Sequence, residues 1–179
     1  IAEATCGVPA DGLPGAIAGH SFGAYTAQLL AGAEIDLPGE GPRCFRDGRF
    51  AAAVLLSAQG RDQQGLRDGS WDSMTGPVLT VTGTLDRGAK GGDWNWKSEP
   101  YELAPLGGKY LAVLEEGDHF LGGLTERDTQ RHVRAQQEAV RQITLAFLDA
   151  HLRGREAASG WLGSIGDAVG DCRLLFKRK

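Results

Sequence analysis

Three side chains in this sequence have the types and order for acyl-transfer chemistry: Ser21, Asp86 and His119. Ser21 lies in Gly19-His20-Ser21-Phe22-Gly23, between the apolar run Gly15-Ala16-Ile17-Ala18 and a run rich in Ala and Leu, Ala24–Ala33. A G-x-S-x-G pentapeptide between a strand and a helix is the pattern of a nucleophile elbow, a sharp turn that lifts a serine Oγ clear of a sheet. Gly19 and Gly23, lacking Cβ atoms, are expected to let strand and helix approach closely. The helix would then present its first N–H groups, that of Phe22 foremost, to a developing oxyanion. The plainer alternative is a glycine-rich turn with Ser21 as a helix N-cap.

Asp86 follows the clearest strand of the chain, Pro77–Gly83, which is β-branched and opened by a proline. His119 follows a fourth expected strand, Lys109–Leu114, in the turn Glu115-Glu116-Gly117-Asp118-His119-Phe120. In parallel α/β sheets, sites form beyond the carboxyl ends of the strands, which is where all three residues fall. In the triad chemistry, His119 would take the Ser21 proton and return it to the leaving alkoxide. Asp86 would fix the imidazole tautomer and stabilise its charged form. Asp86 could instead cap a turn, and Asp62, after the strand Phe50–Ser57, is an alternative acid. Of the other histidines, His20 is expected to point away from Ser21. His132 and His151 lie on a helical stretch as polar or boundary residues.

The elements that must position these groups alternate between strand and helix. The continuous apolar run Phe50–Ser57 fits a strand covered on both faces, and Thr129–Leu152 has helical periodicity, with Gly154 at its end. Glu34–Arg49 is expected to be irregular, Arg61–Met74 a loop or frayed helix, and Cys172–Phe176 a fifth strand. Gly88–Gly108 reads as a long loop carrying Trp94, Trp96 and Tyr101. With Phe120, these aromatics either line an acyl or alcohol pocket or fill the core beneath the loop. The pocket reading implies a neutral, apolar substrate. The fold class expected is α/β, a mostly parallel sheet flanked by helices, formed by one domain over residues 1–179.

Composition bounds the function. The chain has 179 residues, 41% apolar and 23% charged, with 27 glycines and a net charge of −4. That balance argues against nucleic acid as a partner, since phosphate binding needs a basic face. The cluster Lys177-Arg178-Lys179 is expected to be a solvated tail. No stretch approaches the roughly 20 apolar residues of a membrane span. Three scattered cysteines, Cys6, Cys44 and Cys172, allow one disulfide at most and no compact zinc site. No metal or organic cofactor is expected, and no compartment follows from the sequence. The only methionine is Met74, so a segment is expected to have preceded Ile1.

The pieces GHSFGAYTAQLLAG, RFAAAVLLSAQG, PVLTVTGTLDRG, GDWNW and GDHFLGG resemble bacterial α/β-hydrolases of the dienelactone-hydrolase-like and platelet-activating-factor-acetylhydrolase-like group. The resemblance implies a serine carboxylesterase or lipase, with nucleophile Ser21, acid Asp86 and base His119. Dienelactone hydrolases proper use cysteine where this chain has Ser21. A full α/β-hydrolase also has about four strands ahead of the elbow, and the loop there supplies a second oxyanion N–H. Those strands are expected to be missing here, which would leave the Phe22 N–H as the one local donor. An unpaired elbow strand then implies self-association or a complementary N-terminal polypeptide.

Overall fold

The computed structural model describes residues 15–88, 91–124 and 133–179. Four parallel strands form its centre: β1 (Gly15–His20), β4 (Phe50–Leu56), β5 (Val78–Gly83) and β6 (Lys109–Leu114), adjacent in that order. Two antiparallel strands complete the six-stranded sheet, β8 (Cys172–Arg178) beside β6 and the short β7 (Ala168–Val169) beside β8. Four helices flank it: α1 (Phe22–Leu30), α2 (Trp94–Glu102), α3 (Arg134–Arg153) and α4 (Glu156–Ser164). The chain is therefore a mixed α/β protein with a mostly parallel sheet.

Alternate residues of each central strand enter opposite cores. On one face Ala52, Val54, Leu79, Val81, Ala112 and Leu114 meet Ala139, Val140, Ile143 and Phe147 of α3. On the other, Ala53, Leu55 and Val78 meet Ala24 and Ala27 of α1, with Trp71 and Met74 from the loop after β4. Leu111 and Val113 meet Tyr101 of α2 and the half-buried Trp94. Burial on both faces explains why β4 reads as an unbroken apolar run, and in β5 it encloses even Thr80 and Thr82.

Several stretches depart from the sequence expectation. Glu34–Arg49 holds an antiparallel hairpin, β2 (Glu34–Leu37) with β3 (Gly41–Cys44), turning through Gly39 at φ 79°. The expected loop Gly88–Gly108 contains α2, whose N-terminus Asp93 caps by accepting from the Asn95 and Trp96 N–H groups. The basic tail is no tail: Lys177 pairs with Glu102, and Lys179 exchanges backbone hydrogen bonds with Lys109. α3 ends as expected at Gly154, in the left-handed region at φ 63°, while the expected residues 129–132 of that helix lie outside the described residues. Cys44 and Cys172 are unpaired, and Cys6 lies outside the described residues. No described helix is long and apolar enough to cross a membrane.

The turn from β1 into α1 divides the two elbow glycines. A Cβ on Gly19 would overlap the Gly23 carbonyl, whereas one on Gly23 would meet nothing within 4 Å. Close approach therefore constrains Gly19, and Gly23 contributes only its backbone. Gly19→Ala is expected to cost about 3 kcal/mol as backbone overpacking, which lowers the melting temperature of a chain this size by roughly 6–12 °C. Gly23→Ala, inside the first turn of α1, is expected to be neutral or mildly stabilising. Thermal melts of the two variants followed by circular dichroism compare them directly.

Candidate active site

The carboxyl ends of the four parallel strands deliver the site. Ser21 follows β1 at φ 54°, ψ −117°, an uncommon conformation for a non-glycine residue. Its N–H donates to the Leu56 carbonyl at 2.9 Å and its own carbonyl accepts from Tyr25 N–H at 3.1 Å. The turn is thereby tied to β4 behind and to α1 ahead. The Ser21 side chain makes no N-cap hydrogen bond. Its Oγ lies 2.9 Å from Nε2 of His119 instead, across 98 residues of sequence.

Asp86 and His119 are held by two loops stitched together. Thr84 N–H donates to the Leu114 carbonyl at 2.9 Å, Leu85 N–H to Gly117 at 2.9 Å, and Glu116 N–H to Thr84 Oγ1 at 2.8 Å. Nδ1 of His119 stands 2.9 Å from Oδ1 of Asp86. Oδ2 accepts from Thr82 Oγ1 at 3.0 Å. Asp86 has no exposed surface. Burial, the largest influence on its carboxyl, pushes the pKa up. The His119 hydrogen bond, the Lys97 charge, a hydrogen bond from Ser57 and the His119 charge together outweigh that effect and hold it below the usual carboxylate value. An ionised carboxylate only accepts, so Nδ1 carries the proton and Nε2 is left to accept from the Ser21 hydroxyl. Asp62, the alternative acid, is exposed at φ 62° on a neighbouring hollow and makes no contact with His119.

Two supporting residues, Lys97 and Ser57, escaped the sequence reading, and His20 has a part that reading did not give it. Lys97, on α2, is 2% exposed; its Nζ lies 3.7 Å from Asp86 Oδ1 and donates to the Ser57 carbonyl at 3.2 Å. Burial lowers the Lys97 pKa, with Asp86 opposing. Ser57, directly after β4 at φ 53°, donates its Oγ–H to the His119 carbonyl at 3.0 Å. That carbonyl also accepts from His20 Nε2 at 2.6 Å, and the His20 and His119 rings lie 5.0 Å apart. His20 thus packs against the imidazole and holds its backbone, where the sequence placed it facing away from the serine. Burial lowers its pKa and favours the neutral ring that makes this bond. The one signal for Lys97 in the sequence was a lysine between aromatics, Trp96 and Tyr101.

A cleft of about 320 Å³ opens beside Ser21 and His119. Gln59, Gln63, Arg87, Trp96 and Lys97 complete its lining. Trp96 therefore lines the cleft, with its Nε1–H engaged by the Arg61 carbonyl at 2.8 Å. Phe120 packs on His119 and His20, with ring centroids 5.4 and 5.9 Å away. Trp94 does not line the cleft: it faces Val113, Leu174 and Leu175, and the buried Tyr101 packs nearby against Leu111 and Val113. The Phe22 N–H opens α1 beside Ser21, while its ring is 61% exposed and stacked on Tyr25. His132 lies outside the described residues, and His151 bonds the Tyr110 hydroxyl, far along the chain from the cleft lining. Among the described residues no cluster of His, Cys, Asp and Glu could hold a metal ion.

No family model matches the chain, and a search of curated proteins finds no significant match.

The Lys97–Asp86 pair gives a stability prediction. Removing one partner of a buried ion pair typically costs about 3–5 kcal/mol; Asp86 keeps its His119 and Thr82 bonds, so Lys97→Met is expected near the lower end. Because the Asp86 pKa is depressed on folding, its contribution is fully present above the unfolded carboxylate value of about 3.9 and lost as pH falls through the lower folded value. Lys97→Met weakens that depression, so acid unfolding of the variant is expected to begin at higher pH than in the parent chain. Urea titrations over a pH series measure both effects, and adding Asp86→Asn should recover part of the lost stability.

Proposed function

We propose that this chain is a serine-dependent carboxylic ester hydrolase with an α/β-hydrolase fold and a triad of Ser21, His119 and Asp86. One observation above all supports the reading: the unbroken run from Ser21 Oγ through both nitrogens of His119 to a buried carboxylate, each step 2.9 Å. The strained backbone of Ser21 and the chain order Ser–Asp–His agree with it.

In the proposed reaction, Ser21 Oγ attacks the ester carbonyl carbon while its proton passes to His119 Nε2. The tetrahedral oxyanion accepts a hydrogen bond from the Phe22 N–H, with the positive end of α1 behind it. As the carbon–alkoxide bond breaks, His119 returns the proton to the leaving oxygen and the alcohol departs, leaving acyl-Ser21. Water then gives a proton to His119 and attacks the acyl carbon. Collapse of the second tetrahedral intermediate frees the acid and restores the hydroxyl. Asp86 holds the tautomer throughout, and Thr82 and Lys97 hold Asp86.

A fluorophosphonate is expected to add one covalent mass to the chain, and Ser21→Ala to remove both labelling and hydrolysis of p-nitrophenyl esters with the fold intact. Asp86→Asn is expected to lower kcat by about 10⁴, the scale of tautomer loss in a triad, whereas Asp62→Asn should stay near the parent rate. An unlabelled Ser21 in folded protein would leave a non-catalytic binding module as the reading.

Association belongs to the same proposal. β1 pairs with β4 on one side and with no other strand among the described residues. An apolar edge of that kind recruits a strand from another chain. Light scattering at micromolar concentration is expected to give a mass above 19.0 kDa; a monomer with full esterase activity would remove this part of the reading.

A further inference from the structure

The polar heads around the cleft divide into those already engaged and those left open. Lys97 is held by Asp86 and Ser57, the Trp96 indole by Arg61, and both nitrogens of His119 by Ser21 and Asp86. Three heads are open among the described residues. Gln59 is 7% exposed, and its carboxamide has no hydrogen-bond partner, with Oε1 buried. The other buried side-chain oxygens without partners, Thr80 Oγ1 and Thr144 Oγ1, belong to residues that do not line this cleft. The carboxamide of Gln63 makes no hydrogen bond, and the exposed Arg87, next in sequence to Asp86, makes no ion pair among the described residues.

A buried carboxamide without a partner costs free energy unless something polar completes it. The charges of the lining are also one-sided. Among its described residues the ionic ones are Arg87 and Lys97, with no carboxylate, on a chain of net charge −4. The nearby carboxylates are otherwise placed. Asp86 lies behind His119 and is balanced by Lys97. Asp93 feels the charge of Arg87, but its oxygens accept from the N–H groups at the start of α2. Asp62 lines the adjoining hollow and forms no ion pair with Arg87. An apolar acyl chain would leave all three open heads unmatched. A compact anion would accept from the Arg87 guanidinium and from the amide N–H groups of Gln59 and Gln63, and 320 Å³ is at the small end of ligand pockets.

We propose that the cleft beside Ser21 selects small anionic esters, with Arg87 as the counter-charge and the amide N–H groups of Gln59 and Gln63 donating to the charged group. The inference rests on the esterase reading for its chemistry but not for its binding, and the two are separable. Mono-p-nitrophenyl glutarate carries a carboxylate; p-nitrophenyl butyrate is its neutral comparator. At low ionic strength a single charge-assisted contact is expected to favour the hemiester in kcat/KM by about tenfold. Added sodium chloride should erode the preference. Arg87→Gln should bring the ratio of the two kcat/KM values close to one, and Gln59→Leu should reduce it. Binding is read without turnover by calorimetry of Ser21→Ala with monomethyl glutarate and methyl butyrate. Tighter binding of the hemiester, lost on adding Arg87→Gln, is the expected result. Binding of that kind without hydrolysis in the parent chain would sustain this inference and end the esterase reading. Hydrolysis of both esters at equal kcat/KM, or a ratio that Arg87→Gln leaves in place, would overturn the inference and spare the esterase. Neither binding nor hydrolysis would overturn both.

Discussion

A carboxylate with no exposed surface has to be answered on every side, and the way Asp86 is answered organises this molecule. Its two oxygens meet an imidazole, a hydroxyl and an ammonium drawn from three separate elements: the loop after β6, the end of β5, and α2. Each of those elements must be in place before the charge can be tolerated. The sheet edge where the strands end is thus also where the fold has least freedom to vary. It is the same constraint that fixes the tautomer of His119 and turns its Nε2 towards Ser21.

Strain gathers at that edge as well. Ser21, Ser57 and Glu116 follow three of the four parallel strands, and all have φ close to 54° despite carrying side chains. Strand hydrogen bonds on one side and helix or loop contacts on the other over-determine such positions, which is how an unfavourable backbone persists. At two of these positions the side chain works on the site directly: Ser21 supplies the hydroxyl and Ser57 holds the His119 carbonyl.

Much of this was legible in the sequence, for a physical reason. Residues immediately after buried parallel strands announce themselves, because the apolar run stops and a polar residue follows. Ser21 stands in that position, and Asp86 and His119 stand in the short turns that open there, three and five residues past their strands. Residues that reach the site from a flank carry no such mark. Lys97 lies in a stretch interrupted by Pro100 and short of apolar periodicity, so α2 was invisible until its Asp93 cap and its packing on β6 were known. Trp94 and Trp96, two residues apart, fall on different sides of that helix, and only one of them reaches the cleft. The basic C-terminus misled for the opposite reason: Lys177-Arg178-Lys179 is polar enough for a tail, yet pairing with β6 makes it a strand.

One close contact has a wider meaning. Gly83 ends β5, and a Cβ there would overlap the backbone of Gly117 in the turn after β6. The two turns touch main chain to main chain, with the Thr84 and Leu85 hydrogen bonds alongside. Nothing compressible lies between them, so neither turn can shift without carrying the other. Asp86 and His119 therefore ride on what is mechanically one part, and the bonds of His20 and Ser57 to the His119 carbonyl are what join that part to the strands that carry the serine.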